Sequence, residues 1–334
     1  AQAGRLAAHL RETTDDVREV AHALTTQRAF LDHRAVILGN NREELLTGLD
    51  ALAAGEEAPG VITGSGQAER PVFVFPGQGS QWTGMAHDLL NTSAVFRDSI
   101  AACEKALSPH VDWSLTEVLR SDEDITRVDV IQPVLFAVMV SLAAMWRSLG
   151  VEPAAVIGHS QGEIAAAVVS GALTLDDGAK IAALRSQALR TLSGTGGMAS
   201  LPLSPEDTTA LLEPWASELS IAAHNGPHTT VIAGNTGALD QLLTHCEEKH
   251  IRARRIDVDY ASHTHHIDTL KTHLATSLTD IEPKPSKIPF YSTVTGTTHD
   301  TTQLTGDYWY TNLRQPVHLT HATQHAHQNG HTAY

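Results

Sequence analysis

Five consecutive residues, Gly158-His159-Ser160-Gln161-Gly162, have the types and spacing of a serine nucleophile. In a G-x-S-x-G elbow a sharp turn between a strand and a helix exposes the serine hydroxyl, and glycine fits the flanking positions because it has no Cβ. The apolar run 154–157 suits a buried strand, and the stretch from Glu163 onward suits a helix. We therefore predict that Ser160 is a nucleophile at a helix N-terminus, where N–H groups stabilise negative charge. The alternative is a glycine-rich turn whose serine only caps the helix.

A serine nucleophile needs a base, and His263 is our prediction among the twenty histidines. It follows a predicted strand and opens a loop where the chain re-enters the larger domain. The histidines at 265–266 are close alternatives, and Asp257 and Asp259 are the nearest carboxylates that could orient the ring. A thioester substrate would relax the need for a full triad, because its leaving thiol has a pKa of about 8.5 and departs more readily than an amine.

The composition limits the partners and the compartment. The 334 residues are 42% hydrophobic with a net charge of −15, which makes nucleic acid and anionic membranes unfavourable partners. The longest apolar run, 134–146, is shorter than the ~18 residues of a membrane span and predicts a buried helix. Two cysteines, Cys103 and Cys246, are too few for a disulfide framework and favour a reduced, cytoplasmic setting. Because the chain begins at Ala1, we expect a piece of a longer protein.

Residues 1–70 form a first predicted unit. Apolar spacing predicts a helix over 6–24, a strand over 35–38 and a helix over 42–54. Residues 55–69 contain glycine, proline and serine without an apolar period, which is typical of a linker. The catalytic body is therefore expected to start near residue 71.

The predicted catalytic body is α/β with a parallel sheet, built from residues 71–196 and 258–334. It begins with a buried strand at 72–75, and strands and helices are then expected to alternate to about residue 195. At 330–334 the pattern of a further strand begins, so we expect the last strand of the body to lie beyond this sequence.

Residues 197–257 carry a pattern of their own and predict a small α+β subdomain. The order is strand, helix, strand, strand, helix, strand, which is the ferredoxin-like motif. The predicted strands are 198–202, 219–223, 229–233 and 251–257, and the helices start at 204 and 236. The first helix start is well marked, because Ser204, Pro205 and Glu206 supply a cap, a proline at the first position and an acidic first turn.

Four motifs resemble those of the acyltransferase domains of modular type I polyketide synthases, and the malonyl-transferring acyltransferases of fatty-acid synthesis are similar. In chain order they are Pro76-Gly77-Gln78-Gly79-Ser80-Gln81-Trp82, Gly158-His159-Ser160-Gln161-Gly162-Glu163, Leu184-Arg185-Ser186 and Tyr260-Ala261-Ser262-His263. The resemblance covers nearly the whole chain. It implies an α/β-hydrolase-like large subdomain, and residues 1–70 resemble the linker between the ketosynthase and acyltransferase domains.

The resemblance implies a catalytic dyad. Ser160 would attack the thioester carbonyl of an extender acyl-CoA, and His263 would accept the serine proton. In this family a backbone carbonyl orients the imidazole in place of an aspartate. The segment 312–317 resembles the one that supplies this carbonyl, with Asn312 and Gln315 as the candidate residues.

The resemblance implies two further roles, one in binding the oxyanion and one in binding the carboxylate of the substrate. The backbone N–H groups of Gln78 and Gln161 would bind the oxyanion of the tetrahedral intermediate. Arg185 would hold the free carboxylate of the extender unit through a bidentate pair. That role explains an arginine inside the otherwise apolar helix 181–189, where the alternative is an ordinary exposed arginine.

The resemblance also implies selection of a methylmalonyl extender. The Tyr260–His263 motif resembles the methylmalonyl-selecting form, whereas malonyl-selecting members tend to carry His-Ala-Phe-His. Ser262 leaves room where phenylalanine would crowd the α-methyl branch, and Tyr260 and His159 are the other predicted pocket residues. The segment 127–132 and Gln161 agree with this form by resemblance.

The expected partners follow from the same resemblance. Methylmalonyl-CoA would be the donor and the phosphopantetheine thiol of an acyl carrier protein the acceptor, beside a neighbouring ketosynthase domain. No permanently bound cofactor and no metal are expected. Two i,i+4 histidine pairs near the C-terminus could bind a metal, but a polar surface helix is the simpler interpretation; they are His321, His325, His327 and His331.

Three alternatives stay open from the sequence. One is a malonyl-selecting acyltransferase. A serine hydrolase of esters or thioesters would share the nucleophile and base but has no need of a buried arginine. A non-catalytic docking module is disfavoured because Ser160, His263 and Arg185 are all present.

Overall fold

The structure is a computed structural model that describes residues 1–65 and 69–334. It contains two compact units, Ala1–Glu69 and Arg70–Tyr334. Part of the linker predicted at 55–69, namely residues 66–68, lies outside the described residues.

The first unit is small and corrects two predictions. Its elements are α1 (Gln2–Glu12), α2 (Val17–Thr26), β1 (His33–Ile37), α3 (Arg42–Ala54) and β2 (Val61–Ser65). The single helix predicted over 6–24 is two helices, because the Asp16 side chain accepts from the Arg18 N–H and starts a second helix. The predicted linker contains β2, because pairing with β1 along its full length satisfies the backbone of that short stretch.

The second unit begins with a strand and reaches its next strand only after four helices. Its elements up to residue 190 are β3 (Val72–Phe75), α4 (His87–Thr92), α5 (Ala94–Leu107), α6 (Leu115–Arg120), α7 (Val128–Ser148), β4 (Ala155–Gly158), α8 (Gly162–Ser170) and α9 (Leu175–Arg190). The predicted strand-by-strand alternation is wrong here. Helices α5, α7 and α9 pack on one another, and this helical layer takes the place of further strands.

Helix α7 is the central core helix of this unit. Within the described residues it alone is long and apolar enough to cross a membrane, but 78% of its apolar window is buried inside the fold. The apolar run 134–146 lies within it, as expected of a buried helix. Gln132 is a buried polar residue in its apolar face, and such a group needs hydrogen-bonding partners.

Next comes the small subdomain, with the predicted ferredoxin-like order. Its elements are β5 (Gly197–Leu201), α10 (Pro205–Leu212), β6 (Leu219–Gly226), β7 (Thr229–Gly234), α11 (Thr236–Glu248) and β8 (Arg254–Ile256). The strands form one antiparallel sheet in the order β6-β7-β5-β8. The Ser204 hydroxyl accepts from the Asp207 N–H and caps α10, as predicted.

The chain then returns to the large sheet. The last elements are α12 (Lys271–Ser277), β9 (Phe290–Ser292), β10 (Thr297–Thr298), α13 (Gly306–Arg314) and α14 (Leu319–Gln328). The sheet order is β10-β9-β4-β3, with β3, β4 and β9 parallel and β10 antiparallel. The prediction of an α/β body interrupted by a small α+β subdomain is therefore confirmed. Because β3 and β4 are parallel neighbours, the turns after their carboxyl ends lie side by side.

Candidate active site

The turn between β4 and α8 has the backbone of a nucleophile elbow. Ser160 has a φ of 53°, a left-handed conformation that is uncommon for residues with a Cβ. A Cβ on Gly158 would collide with the backbone of Glu163, and a Cβ on Gly162 would collide with the carbonyl of Phe75. Both flanking positions therefore require glycine, and the turn presents Ser160 at the start of α8.

The Ser160 hydroxyl lies against His263, with Oγ 2.9 Å from Nε2. The other ring nitrogen, Nδ1, is 2.7 Å from the backbone oxygen of Gln315. A carbonyl oxygen only accepts, so Nδ1 carries the proton and Nε2 is left to accept from Ser160. Burial, helped by the nearby Arg185 cation, lowers the pKa of the His263 imidazole to about 3. The ring is therefore neutral near pH 7, as a base must be.

The alternatives for the base and its orienting group lie elsewhere. The two rings at 265–266 meet edge to face, and the second is hydrogen-bonded to Asn235. Asp259 accepts from the Ser193 hydroxyl. In the part of the chain that the structure describes, no carboxylate is hydrogen-bonded to His263. Ser160 and His263 thus form a hydrogen-bonded pair whose imidazole is oriented by the backbone carbonyl of Gln315.

Of the two residues predicted to orient the base, Gln315 is placed to do so and Asn312 is not. Helix α13 ends at Arg314, and Gln315 is extended, so its carbonyl is released from the helix and reaches the imidazole. Asn312 is still inside α13, and its side chain points to the elbow. Its Oδ1 accepts from Nη2 of Arg185 at 3.2 Å, and its Nδ2 donates to the backbone carbonyl oxygen of Ser160 at 3.2 Å.

Arg185 is buried in α9 beside the nucleophile, with 1% of its surface exposed. Nη1 donates to Gln132 Oε1 at 2.8 Å, and Nη2 donates to Asn312 Oδ1 and to Ser160 Oγ at 3.3 Å. All of these partners are neutral, and Nε has no hydrogen-bond partner among the described residues. Burial lowers the pKa of the guanidinium to about 10, so it is still charged near pH 7. Among the residues that the structure describes, this buried cation has no anionic contact.

Two backbone N–H groups are available near the serine. Gln161 stands at the start of α8, and Gln78 lies in the glycine-flanked turn after β3. Across residues 1–65 and 69–334, neither N–H donates to a protein acceptor. The Gln78 side chain accepts from the Tyr260 hydroxyl at 2.7 Å and from Gln132 Nε2 at 3.2 Å, which fixes this turn. The two amides are therefore free to bind an oxyanion.

The remaining predicted pocket residues are also partly or fully buried. His159 Nε2 is 2.8 Å from Asn225 Oδ1. Ser262 is 8% exposed, and its hydroxyl lies 3.5 Å from the Met198 sulfur on β5. The Gln161 side chain is 1% exposed, and neither its oxygen nor its nitrogen has a protein partner within the described residues. A ligand group that hydrogen-bonds to this buried amide would remove the free-energy cost of leaving it unpaired.

Three residues around the site have no individual role predicted from sequence: Gln132, Glu163 and Asn225. Gln132 and Glu163 carry a usable signal, since each is a polar residue in an apolar helical stretch and each is buried. Asn225 gives no such signal, because Asn-Gly-Pro is typical of an ordinary turn.

No group of three or more His, Cys, Asp or Glu side chains that could hold a metal ion occurs among the described residues. Two of the four C-terminal histidines, His325 and His331, instead lie edge to face with the Tyr291 ring.

The elbow, its buried base and the inserted antiparallel subdomain define a class: an α/β enzyme that can carry an acyl group on serine. A family model described as acyl transferase domain matches residues 72–334. The chain is 53% identical over 306 residues to polyketide synthase GfsE of Streptomyces halstedii, covering 92% of this chain and 8% of that protein. It is 51% identical over 338 residues to erythronolide synthase EryA3 of Saccharopolyspora erythraea, covering 100% of this chain and 11% of that protein.

A solved structure agrees with these relatives. The acyltransferase domain from module 8 of the salinomycin polyketide synthase matches with a TM-score of 0.93 and 49% identity, over 99% of this chain and 79% of that one. The chain belongs to the acyl transferase domain family of modular polyketide synthases, whose members transfer acyl groups. It spans only 8% and 11% of the length of the two curated relatives.

Proposed function

We propose that this domain transfers a methylmalonyl extender from CoA to the phosphopantetheine thiol of an acyl carrier protein through an acyl-Ser160 intermediate. The observation that carries the proposal is the buried Arg185 cation, 3.3 Å from the nucleophile and without an anionic contact among the described residues. A carboxylate on the acyl group would supply the missing partner. A hydrolase of neutral esters would gain nothing from such a charge, and burying it is costly.

In the acylation step, Ser160 Oγ gives its proton to His263 Nε2 as it attacks the thioester carbonyl. The oxyanion accepts hydrogen bonds from the N–H groups of Gln78 and Gln161. The Gln315 carbonyl keeps its bond from Nδ1–H and favours the imidazolium that forms. When the intermediate collapses, the C–S bond breaks and the proton on Nε2 passes to the CoA sulfur.

In the second step, the carrier protein's thiol replaces CoA. His263 Nε2 takes the thiol proton as the sulfur attacks the acyl-serine carbonyl, and the same N–H groups bind the oxyanion. The C–O bond breaks, and the proton returns to Ser160 Oγ. The cycle is ping-pong and needs no metal or permanently bound cofactor.

In this proposal Arg185 selects carboxylated acyl groups. A guanidinium has five N–H donors, and the structure uses three of them, on Gln132, Asn312 and Ser160. The remaining donors, Nε–H among them, can hold a carboxylate, and such a charge-assisted pair is stronger than a neutral hydrogen bond.

The small side chain of Ser262 supports the methylmalonyl choice over malonyl. Ser262 occupies little volume next to Met198, whereas phenylalanine there would have to displace that side chain or project toward the substrate. Tyr260 donates its hydroxyl to Gln78, and this bond fixes the position of its ring. One methyl group in an apolar pocket gives a preference of roughly 10–200-fold.

A competition experiment tests the proposal. Equal concentrations of malonyl-CoA and methylmalonyl-CoA are mixed with the protein, and the acyl-enzyme is read by intact mass. We expect a dominant methylmalonyl adduct, and a larger malonyl share in the Tyr260→His/Ser262→Phe double variant. Tyr310→His, which removes a hydroxyl bonded to Asp268 outside the site, is the control. A dominant malonyl adduct on the unmodified protein would overturn the selectivity, and no adduct at all would overturn the acyl-serine mechanism.

The proposed partners follow from the relatives. Since these are polyketide synthases many times longer than this chain, we place the domain beside a ketosynthase and opposite an acyl carrier protein. A cytoplasmic setting is consistent with two free, buried cysteines.

A further inference from the structure

Glu163, three residues after the nucleophile, carries a fully buried carboxyl group that is hydrogen-bonded only to other protein groups among the described residues. Oε1 accepts from the N–H of Thr293 and lies 2.7 Å from its hydroxyl, while Oε2 accepts from the Tyr308 hydroxyl at 2.6 Å and from Asn312 Nδ2 at 3.1 Å. None of these partners is a cation. The mechanism above uses neither Glu163 nor this network, although burying a carboxyl group is expensive.

Asn312 connects Glu163 to the arginine. Its amide nitrogen donates to two acceptors, Glu163 Oε2 and the backbone carbonyl oxygen of Ser160, and its amide oxygen accepts from Arg185. If the amide were turned over, its oxygen would face two oxygens and its nitrogen would face the guanidinium. Glu163 therefore helps to keep an acceptor directed at Arg185.

We propose that Glu163 and Asn312 are positioning residues that hold the Arg185 guanidinium in the orientation that binds the acyl carboxylate. This inference rests on the proposed function, because it assumes that Arg185 meets a carboxylated substrate. Glu163 acts through Asn312, and neither residue reacts with the substrate.

The Asn312 amide separates the Glu163 carboxyl group from the Arg185 guanidinium. A carboxylate in direct contact with Arg185 would form an internal ion pair and compete with the substrate for the same donors. Asn312 supplies a neutral acceptor there, and burial raises the pKa of the Glu163 carboxyl. Arg185 is thus held in place while its charge stays available to a ligand.

Glu163→Gln tests the first half of the proposal. The backbone N–H of Thr293 is a fixed donor, so the new amide keeps its oxygen there and turns its nitrogen toward Asn312 Nδ2, which loses one of its two acceptors. We expect KM for methylmalonyl-CoA to rise about tenfold, with kcat and the use of propionyl-CoA changed by less than about threefold. Glu104→Gln is the matched control, because Glu104 also accepts from hydroxyls and a backbone N–H but is hydrogen-bonded outside this network.

Asn312→Asp tests the second half and covers the case in which Glu163→Gln does not fold. It places a carboxylate against Arg185, so KM for methylmalonyl-CoA should rise at least about tenfold while propionyl-CoA is much less affected. The proposal would be overturned if a folded variant lost activity equally with both substrates. It would also be overturned if KM for methylmalonyl-CoA were unchanged in every variant that folds. Arg185→Met is measured in parallel. If it lowers methylmalonyl use and the two network variants do not, only this inference fails; if it changes nothing, the proposed function fails as well.

Discussion

Replacing Arg185 by methionine should remove the preference for carboxylated acyl groups and leave the nucleophile in place. Methionine fills much of the volume of the arginine stem but carries no charge and no donors. Arg190→Met is the matched control, because Arg190 lies on the same helix, is 58% exposed and pairs with Asp129. Both variants lose one positive charge from α9, so a difference between them reports the buried site.

The magnitude follows from the contacts. A hydrogen bond to a charged group contributes about 1.5–3 kcal/mol, so kcat/KM for methylmalonyl-CoA should fall roughly 10–150-fold. Two opposing terms set the change in stability, and their sum lies between a gain of about 1 and a loss of about 3 kcal/mol. Since burial lowers the pKa of Arg185 to about 10, the charged form costs roughly 3 kcal/mol more in the folded than in the unfolded protein. Removing the charge should raise the free energy of unfolding by that amount. The oxygens of Gln132 and Asn312 then lack a donor, which lowers it by about 1–3 kcal/mol each.

The assay is single-turnover acylation followed by intact mass, with methylmalonyl-CoA and propionyl-CoA measured separately. For Arg185→Met we expect the loss with methylmalonyl-CoA only, and for Arg190→Met no loss with either substrate. Thermal unfolding of both variants checks that the fold is kept. Equal losses with both CoA esters would refute the carboxylate role and make Arg185 a structural residue.

Three further predictions concern the elbow and the base. Ser160→Ala should keep the fold, because the flanking glycines set the turn, and an acyl adduct in its mass spectrum would exclude Ser160 as the nucleophile. Gly162→Ala should lower the melting temperature strongly, because the new Cβ collides with the Phe75 carbonyl; an unchanged melting curve would contradict this. The pKa of His263 is about 3 and that of the unfolded imidazole is about 6.5, so as pH falls through this window the unfolded chain gains a proton that the folded one does not. Stability should therefore decline toward acid, whereas acylation should show no loss of base near pH 6.5; an acid limb there that disappears in a His263 variant would count against the neutral, buried base.

Local sequence was enough for several features that depend on neighbouring residues. The glycines at 158 and 162 predict the elbow because the turn admits no Cβ there. The cap and proline at 204–205 predict the start of α10, and the order of elements over 197–257 predicts the antiparallel subdomain. Other predictions failed. Helices α1 and α2 were predicted as one helix, and β2 was predicted as part of a linker. Alternating strands and helices were predicted after β3, whereas four helices separate β3 from β4.

Contacts between distant segments decided the rest. His263 meets Ser160 from 103 residues away, and its tautomer depends on a carbonyl 52 residues further along the chain. Arg185 and Asn312 are 127 residues apart, and only the packed structure shows that the Asn312 side chain contacts the arginine and that His263 Nδ1 instead contacts the Gln315 carbonyl. The sequence gives the type of each side chain, but the direction of a side chain or carbonyl depends on the position at which its helix ends. Because α13 ends at Arg314, the carbonyl of Gln315 turns to the imidazole while the side chain of Asn312 stays beneath the elbow.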